Sequence, residues 1–105
     1  MYIVIDNKKI DLVYAKTFFK RLKGFMFTKN INYSLCFPKC NSVHTFFMRE
    51  NINIIMTDKD DNILLIEKNV SKNKVVSCKN AYYTYELPNY VKIDYNIGDK
   101  LKTEE

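Results

Sequence analysis

Tryptophan is missing from this 105-residue chain, histidine occurs once, and glycine and proline occur twice each. Two isolated glycines cannot build the glycine-rich turns that cradle phosphates. Glycine and proline this scarce also exclude collagen-like and linker-like sequence. No apolar run approaches the roughly 20 residues that a membrane helix needs, so no membrane span is expected. Runs of five or more like charges are absent as well. Lys8-Lys9, Lys20-Arg21-Lys23 and Lys72-Lys74 are short groups separated by apolar stretches. The net charge of +5 therefore reads as solvated surface, and a nucleic-acid partner is not expected. Three cysteines are an odd number, which favours reduced thiols over a disulfide framework. The opening Met1-Tyr2-Ile3-Val4-Ile5-Asp6 lacks the basic start and small-residue cleavage site of a secretory signal. A soluble, cytoplasmic chain is the expectation.

What is present belongs to a globular protein: 47% hydrophobic and 28% charged residues. A chain of this length has room for a single domain, 1–105, and one core. Tyr2 to Ile5 and Ile10 to Tyr14 are β-prone runs around the turn-like Asp6-Asn7-Lys8-Lys9 and predict an opening hairpin. Thr17 suits a helix cap, and Phe18, Leu22, Phe25 and Met26 recur on one face, predicting an amphipathic helix over about 18–26. Arg21 falls at the edge of that stripe, within reach of a carboxylate on a neighbouring strand. Pro38 ends the segment before it. Val43 to Met48 and Ile52 to Thr57 read as core strands, and Asp58 to Asn62 as a turn into Ile63-Leu64-Leu65-Ile66. Val75 to Cys78 and Tyr82 to Leu87 add two strands, the second alternating Tyr82, Thr84 and Glu86 against Tyr83, Tyr85 and Leu87. Residues 89–97 fit either a short helical turn or a strand, with a helical turn near 89–95 expected, then a final short strand at Leu101 and a frayed tail from Lys102 to Glu105. The predicted fold is α+β, a mainly antiparallel, barrel-like small sheet with one amphipathic helix.

Few constellations carry chemistry. Cys36, Cys40 and His44 stand four residues apart, but an extended chain covers roughly 13 Å over that spacing, too far for one zinc ion, so no metal site is expected. A Cys40–His44 nucleophile pair lacks a third, orienting group. These two are the weak catalytic candidates. Asp58, Asp60 and Asn62 imitate the first half of a calcium loop without its glycine or terminal glutamate. More informative is the density of polar groups beside an apolar strand. Ser42, His44 and Met48 share one strand face with Phe46, and Thr45 and Arg49 adjoin them. These five are the ligand-binding candidates, with Arg49 suited to an anionic ligand or a protein carboxylate. No cofactor is implied.

Arg21-Leu22-Lys23-Gly24-Phe25-Met26 resembles the Arg-x-x-Gly-Leu-Met helix end of an uncharacterised family, domain of unknown function 192. Cys40 through Arg49 is close to the form common in its bacterial members, and Glu86-Leu87-Pro88 and Gly98-Asp99 also fit. The resemblance spans Ala15 to Leu101 and implies a small α+β fold with a barrel-like sheet, without an established activity. The family usually has Asp where this chain has Asn53, and Phe-Pro in place of Glu50-Asn51, which puts in doubt any role needing a carboxylate on that strand. Arg21 and Glu86 match family positions and are expected to pair, tying helix to sheet. Losing one partner of such a buried pair costs about 3–5 kcal/mol. The leading functional expectation is a non-catalytic module that binds a small molecule or protein, as a monomer or weak dimer. The alternatives are a cysteine/histidine-dependent enzyme, or an accessory subunit docking through a sheet edge.

Overall fold

The computed structural model of the protein describes residues 1–17 and 23–105. Nine strands appear among them: β1 Tyr2–Ile5, β2 Lys8–Tyr14, β3 Ser34–Pro38, β4 Ser42–His44, β5 Ile52–Thr57, β6 Ile63–Val70, β7 Val75–Ser77, β8 Tyr83–Pro88 and β9 Lys102–Glu104. Seven form one sheet in the order β6-β5-β8-β3-β2-β1-β9, and β4 pairs with β7 in a separate ribbon. All pairings are antiparallel except β2 with β3.

Local chemistry accounts for the hairpins. Ile5 pairs with Lys8, leaving Asp6 (φ 52°) and Asn7 (φ 58°) as a two-residue turn. Two left-handed residues make the turn twist that matches the strands. Between β5 and β6, the Asp58 carboxylate accepts from the Asn62 side-chain amide at 3.1 Å and from the Asn62 and Asp60 backbone amides at 2.9 Å each, which draws its pKa below the usual carboxylate value. The sheet then curls into a half-barrel. Its outer strands approach each other where Asn62 bridges Lys100, supported by Ile63 N–H to the Asp99 carbonyl and Leu101 N–H to the Asp61 carbonyl, both 2.8 Å.

Each face of the curl buries one apolar cluster, and strand alternation sorts residues between them. Cys36, Ile55, Tyr85 and Leu87 point to the inner cluster with Ile3, Leu12 and Leu101. Leu35, Phe37, Ile54 and Met56 point to the outer one with Phe25 and Met48. With both faces covered, every residue of β5 is buried, which is why Ile54-Ile55-Met56 are apolar in succession instead of alternating with polar residues.

Several expectations are overturned. The fold is not α+β: among the described residues it is nearly all β, with no helical element. Of the expected helix 18–26, residues 18–22 lie outside the described residues. Of the rest, Lys23 is helical and 24–27 are turn, with Gly24 at φ 50° and Phe27 at φ 63°, and Met26 and Thr28 amides bonding back to the Lys23 and Phe25 carbonyls. Left-handed backbone at Gly24 stops helical propagation, and Phe25 turns into the outer cluster against Tyr33, ring centroids 5.3 Å apart. Near 89–95 the expected helical turn is one β-turn, Val91 N–H to the Pro88 carbonyl. The chain then runs extended, Val91 and Ile93 capping the inner cluster at 7% and 8% exposure. The run Val43 to Met48 is a strand only through His44. Last, the tail is not frayed: Lys102–Glu104 pairs with β1 and Lys9 bridges Glu104 at 2.8 Å.

Candidate functional site

Alternation along β8 sends Tyr85 and Leu87 inward and therefore Glu86 outward, opposite Leu35 of β3 and Ile54 of β5. The outer face there is apolar. Glu86 is consequently 3% exposed, and its Oε1 has no hydrogen-bond partner among the described residues. Loss of hydration penalises the charged form, and burial pushes the carboxyl up to about 8 in spite of a hydrogen bond from the Phe25 amide. Burial thus favours the protonated, uncharged acid. Gly24 fits this spot closely, since a Cβ added there would stand 3.1 Å from Oε1 and 3.4 Å from the Phe37 ring.

Glu86 lines a cleft of about 550 Å³ whose other walls come from Phe25, Phe37, Cys40, Ser42, Val43, His44 and Met48, with Lys16, Lys23 and Gly24 completing it. A second cleft of about 560 Å³, walled by Tyr2, Asp11, Asn32 and Tyr33 among others, contains neither of the two buried side-chain atoms left unpartnered among the described residues, Ser34 Oγ and Glu86 Oε1. The orphaned carboxyl singles out the first.

The structure brings some of the candidates from sequence together and separates others. Ser42, His44, Met48 and Cys40 share the cleft. Ser42 Oγ lies 2.7 Å from Ser77 Oγ across the β4–β7 ribbon. Thr45 is fully buried and holds a loop instead: its hydroxyl donates to the Ser71 carbonyl at 2.7 Å and accepts from the Lys74 amide at 2.8 Å. Arg49 is exposed and does not line the cleft. Arg21 lies outside the described residues.

Cys40 and His44 face the same space without a hydrogen bond to each other among the described residues. The Cys40 thiol donates to the Ser42 carbonyl at 3.3 Å, and His44 Nδ1 accepts from the Phe46 amide at 3.2 Å while its ring stacks on Phe46. A ring nitrogen occupied this way is not a base for the thiol. Cys36 sits in the inner cluster, where burial pushes its thiol up to about 12, so it stays protonated and is no thiolate ligand. No group of three His, Cys, Asp or Glu residues among the described residues is placed to hold a metal ion.

Lys16 and Lys23 were missed from sequence because scattered lysines carry no signal; Gly24 stood within the quoted Arg-x-x-Gly resemblance, but its function of admitting Glu86 depends on a strand 62 residues away. Asn53 also gains an explanation. It is 3% exposed, donates to the Pro88 and Val91 carbonyls at 3.2 and 3.1 Å, and accepts from the Asn69 amide at 2.7 Å.

Comparison with known proteins places these features in context. Residues 1–103 match the model of the DUF192 family, described as "Uncharacterized ACR". A UPF0127 protein of Thermococcus sibiricus is 36% identical, the match covering 86% of this chain and 64% of that protein. A UPF0127 protein of Thermococcus kodakarensis is 32% identical, over 70% of this chain and 51% of that protein. The chain thus spans less than two thirds of either relative, and both come from archaea rather than the bacteria that the Cys40–Arg49 form suggests. Among solved structures, a Novosphingobium aromaticivorans protein of unknown function superposes with a TM-score of 0.73 at 15% identity, covering 97% of this chain and 82% of that one. A Sinorhizobium meliloti protein described as a candidate transcription regulator also gives 0.73, at 13% identity and covering 96% and 89%. At these identities the two structures share a fold with this chain.

Proposed function

Since the chain belongs to the uncharacterised family domain of unknown function 192, we propose that it acts as a non-catalytic module that binds a small molecule in the cleft over Glu86. One observation carries this reading: a buried carboxyl, one of whose oxygens has no hydrogen-bond partner among the described residues, lines a cleft of about 550 Å³. Leaving a buried polar atom unpaired costs about 1–3 kcal/mol, and a ligand that satisfies it recovers that energy. Mixed walls, Phe25, Phe37 and Met48 with Ser42 and His44, resemble ordinary ligand sites, in which apolar surface surrounds a few polar groups.

The enzyme alternative draws less support, because the Cys40 thiol and the His44 ring are each bonded to backbone groups. Docking through a sheet edge is also weaker, because the outer strands converge at Asn62 and Lys100. Native mass spectrometry of the purified protein, followed by amide-shift mapping of any retained or added small molecule, tests the proposal. Shifts gathered in residues 40–48 and 84–86 are expected; a ligand that shifts only residues remote from these contradicts it.

A further inference from the structure

The chemistry of the cleft narrows the class of ligand. Charged groups on its walls, among the described residues, are Lys16 and Lys23. Glu86 faces them from β8. The residues registered opposite it on β3 and β5 are the uncharged Leu35 and Ile54, the Gly24–Phe25 turn presents an amide and apolar atoms, and the remaining titratable lining groups are Cys40 and His44. A cationic ligand here meets two ammonium groups and needs an ionised carboxylate in a nearly water-free setting. An anionic ligand meets the same ammonium groups favourably and finds a protonated acid able to donate to it.

We propose, building on the cleft reading above, that the ligand is a small organic carboxylate, its charge held between Lys16, Lys23 and the Glu86 hydroxyl and its apolar body against Phe25, Phe37 and Met48. The acid–carboxylate hydrogen bond satisfies the oxygen that has no partner among the described residues. Deprotonating Glu86 removes the donor and sets two negative charges against each other, so affinity is highest below the Glu86 transition and falls as pH rises through it. Because that transition lies near 8, an anion that binds only the protonated form loses about tenfold in affinity between pH 6 and pH 9.

The test uses benzoate and benzamidine, which share a ring and differ in charge, followed by amide shifts and calorimetry at pH 6 and pH 9. Benzoate is expected to shift the amides around Cys40–His44 and Glu86, with the tenfold weakening at pH 9. Glu86→Gln, neutral at both pH values, is expected to abolish that pH dependence. The double variant Lys16→Gln/Lys23→Gln alters exposed side chains and is expected to weaken benzoate at least tenfold at pH 6. Benzamidine shifting the cleft while benzoate does not overturns the ligand class and leaves the cleft reading standing. Benzoate affinity equal at both pH values in the unaltered protein overturns the part given to Glu86. Shifts from both probes that are absent, or confined to the second cleft near Tyr33, overturn both readings.

Discussion

Asn53 illustrates how much one side chain can hold. Its amide hydrogens reach the Pro88 and Val91 carbonyls and its oxygen takes the Asn69 amide, so a single buried carboxamide fixes the exit from β8 and the end of β6. An ionised Asp there offers no hydrogens and sets a negative charge against two carbonyl oxygens. Asn53→Asp is therefore expected to lower unfolding stability by roughly 3 kcal/mol at pH 7, as buried polar groups deprived of partners do. Urea denaturation of the two proteins measures this; a loss under about 1 kcal/mol would show that the loop rearranges around the new charge. Sequence could mark position 53 as a departure from the family's Asp, yet the carbonyls that give the amide its task lie 35 and 38 residues away. Glu86 was legible as a family position, and the alternation of β8 was readable from Tyr82 to Leu87. That one of its oxygens lacks a partner among the described residues was not readable, because this depends on which elements close over the strand.

Elements were most legible where their cause is local. The hairpin of β1 and β2 turns on two residues that accept left-handed backbone, Asp6 and Asn7, and the short polar insert between β-prone runs signals it directly. Asn7→Val places a branched side chain at φ 58° and is expected to cost about 1–2 kcal/mol, read as a lower midpoint in thermal denaturation. Asn7→Gly, which has no Cβ to strain, is expected to match or exceed the parent; an Asn7→Val protein as stable as the parent would mean that the turn adopts another form. Where the cause is distant, the pattern misled. Residues 18–22 of the predicted helix lie outside the described residues, but just past Lys23 the chain leaves helical geometry, Gly24 turning left-handed against Glu86 and Phe25 recruited by the outer cluster. Val43 to Met48 carries strand composition, but Thr45 is tied to Ser71 and Lys74 and the chain turns. Phe47 is left 63% exposed, its ring stacked on that of Phe27.

At the scale of the molecule, a curled sheet buries both its faces, and the segments that cover its outer face leave a cleft above one acid. The barrel-like curl was legible in the count and spacing of short strands; the turn over residues 24–27 was not, because the left-handed backbone at Gly24 goes with its close approach to Glu86 on a distant strand. The acid's environment decides the sign of a global property. Two accounts of Glu86 make opposite claims: paired with the Arg21 guanidinium it is ionised, and buried without an ionic partner it is protonated. In the second case the folded chain holds a proton that the unfolded chain releases. Stability is then complete below about 4.5, the ordinary value, and declines as pH rises to about 8, the folded value, by up to about 5 kcal/mol. The most direct test is the free energy of unfolding in urea from pH 4.5 to pH 8.5, compared between the protein and Glu86→Gln so that other titrations cancel. The difference is expected to grow steadily with pH in favour of Glu86→Gln; a parent protein that gains stability over the variant as pH rises would establish an ionised, paired Glu86 and remove the protonated acid from the cleft.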